Sequence, residues 1–258
     1  MKTIVITGAS SGIGLVTAEY LSQKGYLVYG LSRTRGDSDD FRHLTCDVTK
    51  KEEIIQAFQQ IEGEVVAVIN NAGMGISGPV ELEDPDAIKQ IIAVNLLGVV
   101  NVCQVAIPYL RKSKGRIINI GSVAGEIAIP FQAFYSATKA GVESLSEALN
   151  IELKPFGIKV TTVLPGDTRT SFTKNRKKSV ANELYRERME RSVSKMEHDE
   201  KQGVNPIKVA KVISKVIEKK RPPLRVTVGL SYKILVFLKR LVPLRFVNYI
   251  VNKMYGGN

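Results

Sequence analysis

The chain opens with an apolar strand that leads directly into a glycine-rich turn and a helix. Residues 2–7 read KTIVIT, residues 7–14 read TGASSGIG, and Leu15, Ala18 and Leu21 then recur at helical spacing. Glycines let the backbone turn tightly and let a diphosphate approach it, and the start of the helix offers unpaired N–H groups and the positive end of its dipole. This beginning favours a βαβ unit whose first turn holds a dinucleotide.

Apolar strand patterns alternate with helical patterns along most of the chain. Strands are predicted at residues 2–7, 26–31, 41–46, 65–69, 116–120, 158–164 and 224–228. Helices are predicted at residues 14–24, 51–61, 86–112, 133–154 and 209–219. The alternation predicts an α/β fold, a Rossmann-type doubly wound parallel sheet of about seven strands with helices on both faces. Residues 1–228 would form this single domain and residues 229–258 a C-terminal helical extension.

Positive charge is concentrated in the last third of the 258-residue chain. The net charge of +12 keeps nucleic acid and acidic membrane surfaces open as partners. Residues 1–167 carry 15 basic and 18 acidic side chains, a net charge of −3, whereas residues 168–258 carry 22 basic and 7 acidic side chains, a net charge of +15. The basic segments are mostly aliphatic or paired with acids rather than interleaved with stacking aromatics, so we do not expect nucleic acid as a partner.

The cysteines and histidines are few and scattered. Cys46 and Cys103 cannot form a disulfide framework, and with His43 and His198 they do not form a metal-ligand cluster, so we predict buried thiols and no metal site. The N-terminus lacks the long apolar region of a signal peptide, and no apolar run clearly spans a membrane. The expected location is the cytoplasm, with association at a membrane surface as the alternative.

The residues after the second predicted strand indicate which dinucleotide fits. A carboxylate there accepts from the adenosine ribose and favours NAD, whereas an arginine pairs with a 2′-phosphate and favours NADP. Residues 31–35 read LSRTR, and no acidic side chain occurs before Asp37. The sequence therefore favours NADP(H), with Arg33 as the main phosphate contact and Arg35 in a supporting role.

Seven motifs occur in order along residues 1–170. They are TGASSGIG at 7–14, Asp47-Val48, NNAG at 70–73, Asn95 in VNLLG, Ser122 in GSVAG, YSATK at 135–139 and Pro165-Gly166. Together they resemble the classical short-chain dehydrogenase/reductase family, whose members transfer a hydride between a nicotinamide cofactor and a carbonyl or alcohol group.

The resemblance implies a catalytic set of Asn95, Ser122, Tyr135 and Lys139. Tyr135 would exchange a proton with the substrate oxygen, and Ser122 would hydrogen-bond that oxygen. Tyr135 and Lys139 are four residues apart on a predicted helix, so they share a face, and we expect the ammonium to lower the pKa of the phenol. Lys139 would also hold the nicotinamide ribose, and Asn95 would position a water that links Lys139 to solvent.

The resemblance also implies which residues hold the dinucleotide. Asp47 would meet the adenine amino group, Val48 would contact the adenine through its backbone, and Thr170 would meet the carboxamide. Polar Thr168 stands where the family commonly has an aliphatic residue, so this chain departs from the family pattern near the carboxamide. The full predicted cofactor set is Gly8, Ser10, Ser11, Gly12, Ile13, Gly14, Arg33, Asp47, Val48, Asn71, Ala72, Gly73, Tyr135, Lys139, Pro165, Gly166, Thr168 and Thr170.

Two segments lie beyond these motifs. Residues 168–203 occupy the place where the family covers its substrate, so we predict a mobile lid. Residues 229–258 carry five basic side chains and no acid, and one predicted helical face collects Phe246, Val247, Ile250, Val251 and Met254. This extension would cap the sheet or pair with a second subunit; alternatively it would contact a membrane peripherally or wall an apolar pocket.

The sequence predicts an oxidoreductase that uses NADP(H) and a small apolar carbonyl or alcohol substrate of the steroid, retinoid or lipid type. One alternative is a reductase of 3-oxoacyl thioesters on acyl carrier protein. Another is a non-catalytic dinucleotide-binding regulator, which the intact Ser122, Tyr135 and Lys139 disfavour. The resemblance further implies a homodimer or homotetramer.

Overall fold

The computed structural model describes residues 1–256, and its strands agree with the predicted pattern. The strands are β1 Lys2–Thr7, β2 Leu27–Ser32, β3 Arg42–Thr45, β4 Glu64–Asn70, β5 Ile76–Ser77, β6 Arg116–Ile120, β7 Lys159–Pro165, β8 Lys177–Lys178 and β9 Arg225–Val228. Seven of them form one parallel sheet in the order β3-β2-β1-β4-β6-β7-β9, and β5 pairs with β8 in a separate two-stranded ladder. The predicted seven-stranded parallel sheet is confirmed.

Eleven helices are described in the same residues. They are α1 Gly12–Gln23, α2 Lys51–Gln59, α3 Pro85–Ile92, α4 Gly98–Ser113, α5 Val123–Glu126, α6 Ala133–Glu152, α7 Phe172–Asn175, α8 Arg186–Gln202, α9 Pro206–Glu218, α10 Leu230–Lys239 and α11 Leu244–Val251. Two π-helical turns, Ala93–Leu97 and Asn252–Gly256, adjoin α4 and α11. The predicted helices are therefore present, with boundaries that differ by a few residues.

The helices cover both faces of the sheet and bury its apolar strands. On one face α2, α4 and α6 pack a core that includes Phe58, Leu110 and Val142. On the other face α1 and α9 pack a second core that includes Leu21 and Ile213. Strands covered on both faces need continuous apolar runs, which explains the composition of β1 and β4.

The strand order reverses between β1 and β4: the chain continues from β1 towards β2 and β3 on one side of the sheet, and from β4 towards β6 and β7 on the other. In open parallel sheets, ligands bind at such a switch point, beyond the carboxyl ends of the strands. The glycine-rich turn follows β1 and the NNAG motif begins at the end of β4. The topology therefore brings these two motifs together at one edge of the sheet.

The single helix predicted over 86–112 is wrong in one respect, because α3 and α4 are separated by the π-helical turn Ala93–Leu97. By length and composition the whole stretch Pro85–Ser113 could cross a membrane. In the fold, α4 packs against β4 and α2, with Val102 and Leu110 buried in the core. We therefore describe it as a core helix of the domain.

The segment between β7 and α9 has its own secondary structure. It contains α7, β8 and the charged helix α8, and it is tied at its base by a bridge between Thr168 and Val204. Met189 and Met196 on α8 are buried against Phe131 and Tyr255. The predicted lid is thus a packed layer over the site, and its mobility stays a prediction.

Candidate active site

Three positions of the glycine-rich turn can be occupied only by a residue without a side chain. Gly8 and Gly12 have φ angles of +67° and +59°, in the left-handed region that favours glycine. A Cβ on Gly14 would lie 2.2 Å from the Gly8 carbonyl oxygen, and one on Gly8 would lie 2.8 Å from the Cα of Ala72. Backbone therefore packs against backbone here, which leaves the mouth of the turn free for a ligand.

The first turn of α1 lies at this mouth and has unsatisfied donors. The N-cap residue, Ser11, makes no side-chain capping hydrogen bond, and no acidic side chain stands in the first turn. Such an N-terminus binds anions through its N–H groups and the positive end of the helix dipole. The residues present therefore fit the diphosphate of a dinucleotide.

Asn71 holds this turn in place from the neighbouring strand. Its Nδ2 donates to the carbonyl oxygens of Thr7 and Gly8, each at 3.0 Å. The backbone N–H groups of Asn71 and Ala72 in turn donate to the Thr7 hydroxyl, each at 3.0 Å. Asn71 lines the site as predicted, but its amide serves the backbone of the turn.

The residues at the ends of β2 and β3 form the far end of the site. Arg33 is exposed and lines the cavity, whereas the guanidinium of Arg35 is ion-paired with Asp39. Burial raises the pKa of Asp47, but hydrogen bonds from Thr49 and the charge of Arg33 outweigh it, so the net pKa is lowered. Asp47 is therefore a carboxylate that accepts hydrogen bonds, and Arg33 has its donors available.

Tyr135 and Ser122 lie side by side at the centre of the site. Ser122 caps α5, and its hydroxyl accepts from the Ala124 N–H at 3.1 Å. Burial raises the pKa of Tyr135 to about 12, against the opposing effects of the Ser122 hydroxyl and the charge of Arg176. The expectation that Lys139 lowers this pKa is wrong for this structure, since burial dominates. The phenol is a proton donor at neutral pH.

Lys139 lies one turn after Tyr135 on α6 and is almost fully buried. Its Nζ donates to the Ile120 carbonyl oxygen at 2.8 Å and lies 5.7 Å from the centroid of the Tyr135 ring. Burial lowers its pKa to about 8, while the neighbouring Glu143 raises it. Lys139 can therefore change its charge close to neutral pH.

Asn95 reaches the site from the π-helical turn. Its Oδ1 accepts from the Met74 N–H at 2.8 Å, and its Nδ2 donates to the Met74 carbonyl oxygen at 2.9 Å and to the Thr138 hydroxyl at 3.2 Å. A Cβ built on Gly73 would lie 3.4 Å from Asn95 Oδ1 and 3.7 Å from Lys139 Nζ. The side chains of Asn95 and Lys139 thus converge beside Gly73. The water relay between them stays a prediction.

The end of β7 is covered by the C-terminal extension. A Cβ on Gly166 would lie 2.3 Å from the ring of Tyr232 on α10, whose hydroxyl is hydrogen-bonded to Asp167. The Thr168 hydroxyl donates to the Gly166 carbonyl oxygen at 2.9 Å, and Thr170 packs against the turn at Gly12. The extension therefore forms part of the site, in line with the alternative that it walls a pocket, whereas the contact of Tyr232 with Gly166 and Asp167 was not predicted.

One cavity of about 1010 Å³ joins these groups. It extends from Arg33, past Tyr135, to Met254 beyond α11. It is lined by every predicted cofactor residue except Gly14 and by every predicted catalytic residue except Asn95, which lies behind Gly73. The polar groups are thus grouped at one end and the apolar face of the extension at the other.

Two buried charged groups near the site were missed by sequence reasoning. The Arg176 side chain is wholly buried, is ion-paired with Glu200 and lies over the ring of Phe172, which itself packs on Tyr135 at 5.6 Å between ring centroids. Glu143 is buried beside Lys139, and burial raises its pKa to about 7. The sequence gives one signal for Glu143, which follows Lys139 by one helical turn, and none for Arg176.

Comparisons with known proteins cover most of the chain. The short chain dehydrogenase family model matches residues 2–181, which include every motif described above. A 3-ketodihydrosphingosine reductase from Bacteroides thetaiotaomicron is 44% identical over 236 residues, covering 88% of each chain. A mitochondrial D-beta-hydroxybutyrate dehydrogenase from Mus musculus is 36% identical over 185 residues, covering 64% of this chain and 54% of that protein. A short-chain dehydrogenase structure from Streptomyces avermitilis aligns with a TM-score of 0.82 at 28% identity, covering 98% of this chain and 95% of that one.

Proposed function

Since the chain belongs to the short-chain dehydrogenase family of oxidoreductases, which act on alcohol and carbonyl groups, we propose that it is an NADPH-dependent reductase of a long-chain ketone. The substrate class we infer is that of 3-ketodihydrosphingosine, the compound named for the Bacteroides relative. The carrying observation is the single cavity in which Tyr135 stands between the nucleotide-binding turn and an apolar wall.

That wall suits an alkyl chain. Leu235 and Leu238 on α10, with Phe246, Ile250 and Met254 in and after α11, line the far end of the cavity. An alkyl chain gains about 0.8 kcal/mol for each methylene that it buries, so such a wall favours a long substrate over a short polar one. This supports a lipid-like ketone more than a small hydroxy acid.

The chain also has the groups to hold NADP(H). The turn at residues 8–14 and the start of α1 would bind the diphosphate, Asp47 would accept from the adenine, and exposed Arg33 would pair with the 2′-phosphate. Arg35 is already ion-paired with Asp39, which supports Arg33 as the main contact. When bound, the nicotinamide supplies the hydride.

The protein's own groups supply the proton and the geometry. Because the pKa of Tyr135 is about 12, the phenol carries its proton at neutral pH and donates it to the substrate oxygen as the carbonyl carbon accepts the hydride. Ser122 would donate a hydrogen bond to the same oxygen and stabilise its developing charge. Lys139 and Asn95, convergent beside Gly73, would return a proton to Tyr135 from solvent.

The test compares several substrates, and the absorbance of NADPH measures the turnover of each. We expect kcat/KM for 3-ketodihydrosphingosine with NADPH to exceed that for acetoacetate or a 3-oxoacyl thioester by at least 100-fold, and to exceed that with NADH by at least tenfold. Equal turnover of acetoacetate would overturn the lipid assignment, and a preference for the thioester would favour the alternative reductase. Turnover of no ketone or alcohol would favour the non-catalytic regulator.

A homo-oligomer, carried over from the family resemblance, is part of the proposal. The α4 and α6 layer exposes apolar area at Leu97 and Ile151, which a second copy would cover. Light scattering after gel filtration should give the mass of a dimer or tetramer, and a mass of one chain at micromolar concentration would contradict this.

A further inference from the structure

The outer side of the C-terminal extension exposes an apolar stripe. Leu230, Ile234, Phe237 and Leu241 follow one another at steps of four, three and four residues, so they share one side of α10 and its next turn. Each is at least half exposed, and none of the four lines the cavity. Contiguous exposed apolar surface of this kind marks an interaction site.

Basic side chains border this stripe. Lys233 and Arg240 lie seven residues apart on an adjoining side of the same helix, and Arg245 and Lys253 follow in and after α11. All four are exposed, and none of them forms an ion pair with any residue between 1 and 256. Residues 229–258 contain no acid. Apolar side chains bordered by unpaired cations have the chemistry of helices that lie in a membrane interface.

The stripe is continuous with the cavity. Leu235 and Leu238, on the adjoining side of α10, line the cavity and are 44% and 48% exposed. Across the opening, Phe246 and Ile250 on α11 are 51% and 40% exposed. An apolar path therefore leads from the outer surface of α10 to the wall beside Tyr135.

The charge pattern favours a lipid surface over a second copy of the chain. A two-fold symmetric contact places the same patch of both copies face to face. Here that contact would oppose cations to cations with no acid to pair them. An anionic membrane surface supplies the complementary charge, and each basic side chain near such a surface contributes about 1 kcal/mol.

We propose that residues 229–256 dock the protein on an anionic phospholipid surface, with the stripe Leu230–Leu241 in the interface and the cavity mouth facing the bilayer. A long-chain ketone would then pass from the bilayer into the cavity along Leu235 and Leu238. The docking is independent of the reaction, whereas this route of entry rests on the proposed function.

The test measures binding of the full chain to vesicles of phosphatidylcholine with 30% phosphatidylglycerol by co-sedimentation at low salt. Ile234→Ser with Phe237→Ser should weaken binding at least tenfold, and Lys233→Gln with Arg240→Gln about 25-fold, at about fivefold per charge. The second pair should have little effect on pure phosphatidylcholine vesicles. Matched controls are Val180→Ser with Leu184→Ser, and Lys208→Gln with Lys211→Gln, all exposed residues outside 229–256.

The proposal is overturned if the wild-type chain does not sediment with anionic vesicles, or if the test pairs bind as well as the controls. It is also overturned if light scattering shows that the serine pair converts a dimer to a monomer while vesicle binding is unchanged. Unfolding temperatures within about 2 °C of wild type would establish that the variants are folded. In a separate arm, the glutamine pair should slow reduction of a vesicle-borne ketone but not of a short soluble ketone. Failure of that arm alone would refute the entry route and leave the docking intact.

Discussion

The catalytic part of the molecule and its last third differ in what their charges do. In residues 1–167 the acids outnumber the bases, yet the cations Arg33 and Lys139 from this part line the cavity. In the last third, Arg225 and Lys239 bind a cluster of acids on α5 and α6, formed by Glu126, Glu143 and Glu147. The net charge of a segment therefore does not indicate which of its charged side chains stabilise the fold, which line the site and which remain on the surface.

The largest effect should come from the catalytic part. Tyr135→Phe removes the proton donor and should lower kcat about 10²–10⁴-fold while the affinity for NADPH changes little. Turnover measured by NADPH absorbance and nucleotide binding measured by fluorescence separate the two. Tyr109→Phe, which alters a tyrosine packed on Phe58 in the core, is the matched control and should keep its turnover.

The second largest effect should come from the buried ion pair between Arg176 and Glu200, which lies in the basic last third of the chain. Arg176→Met leaves the carboxylate of Glu200 without its partner in a buried site, and should reduce the free energy of unfolding by about 3 kcal/mol. Arg191→Met removes an exposed partner of Glu187 on the same lid and should cost less than about 1 kcal/mol. Urea unfolding followed by circular dichroism measures both, and equal losses would contradict the distinction between buried and surface charge.

The acid cluster gives a pH-dependent prediction of smaller size. Burial raises the pKa of Glu143 from its usual 4.5 to about 7, with the neighbouring Glu126 acting in the same direction, so folding favours the protonated form. The stability that this provides is fully present below pH 4.5 and is lost as the pH rises through 7. Glu143→Gln should remove this slope, which is at most about 1.4 kcal/mol per pH unit. Denaturant unfolding at pH 5 and pH 8 tests it, with Glu147→Gln expected to keep the wild-type slope.

The last effect concerns a single surface cation with a predicted role. Arg33→Ser should raise KM for NADPH about 10–100-fold and leave KM for NADH nearly unchanged, because a charged hydrogen-bonded contact contributes about 1.5–3 kcal/mol. Arg35→Ser, which removes the partner of Asp39, should alter neither constant by more than about twofold. Equal losses with both nucleotides after Arg33→Ser would refute its role as the 2′-phosphate contact.

The sheet and the linear motifs could be predicted from the sequence because local patterns carry them. The strand alternation fixes the order of the layers. Gly8 and Gly12 are required by their positive φ angles, and Gly14 by its close contact with the Gly8 carbonyl. The fates of Arg176 and Tyr232 could not be predicted, since each depends on a partner far along the chain: Glu200 for the first and Asp167 for the second. From the sequence alone, a basic residue in a segment rich in both charges is predicted to be solvated, because its partner in space is not known.

The pKa of Tyr135 shows a different limit of sequence reasoning. The four-residue spacing to Lys139 places both side chains on one face of α6, as expected, but spacing says nothing about burial. In the structure, Lys139 donates to the Ile120 carbonyl, and Phe172 packs on the ring of Tyr135. Burial raises the pKa of the phenol, and the groups that oppose it are Ser122 and Arg176. Helical periodicity predicts which side chains are neighbours on a helix, whereas the pKa of Tyr135 depends on how much water its surroundings exclude.

The π-helical turn at Ala93–Leu97 compensates an irregular spacing of the buried apolar residues on either side of it. Ile91 and Val99 are both buried, yet they are eight residues apart, a spacing that puts them about 80° out of register on a regular helix of 100° per residue. Looping out one residue reduces that error to about 20° and also carries Asn95 inward, where it binds Met74. Deleting one residue between 93 and 97 would leave Ile91 and Val99 seven residues apart, so a regular helix would keep α4 in phase with its core without the π-helical turn. One local change in the backbone thus keeps two buried positions in phase and delivers a polar side chain to the edge of the site.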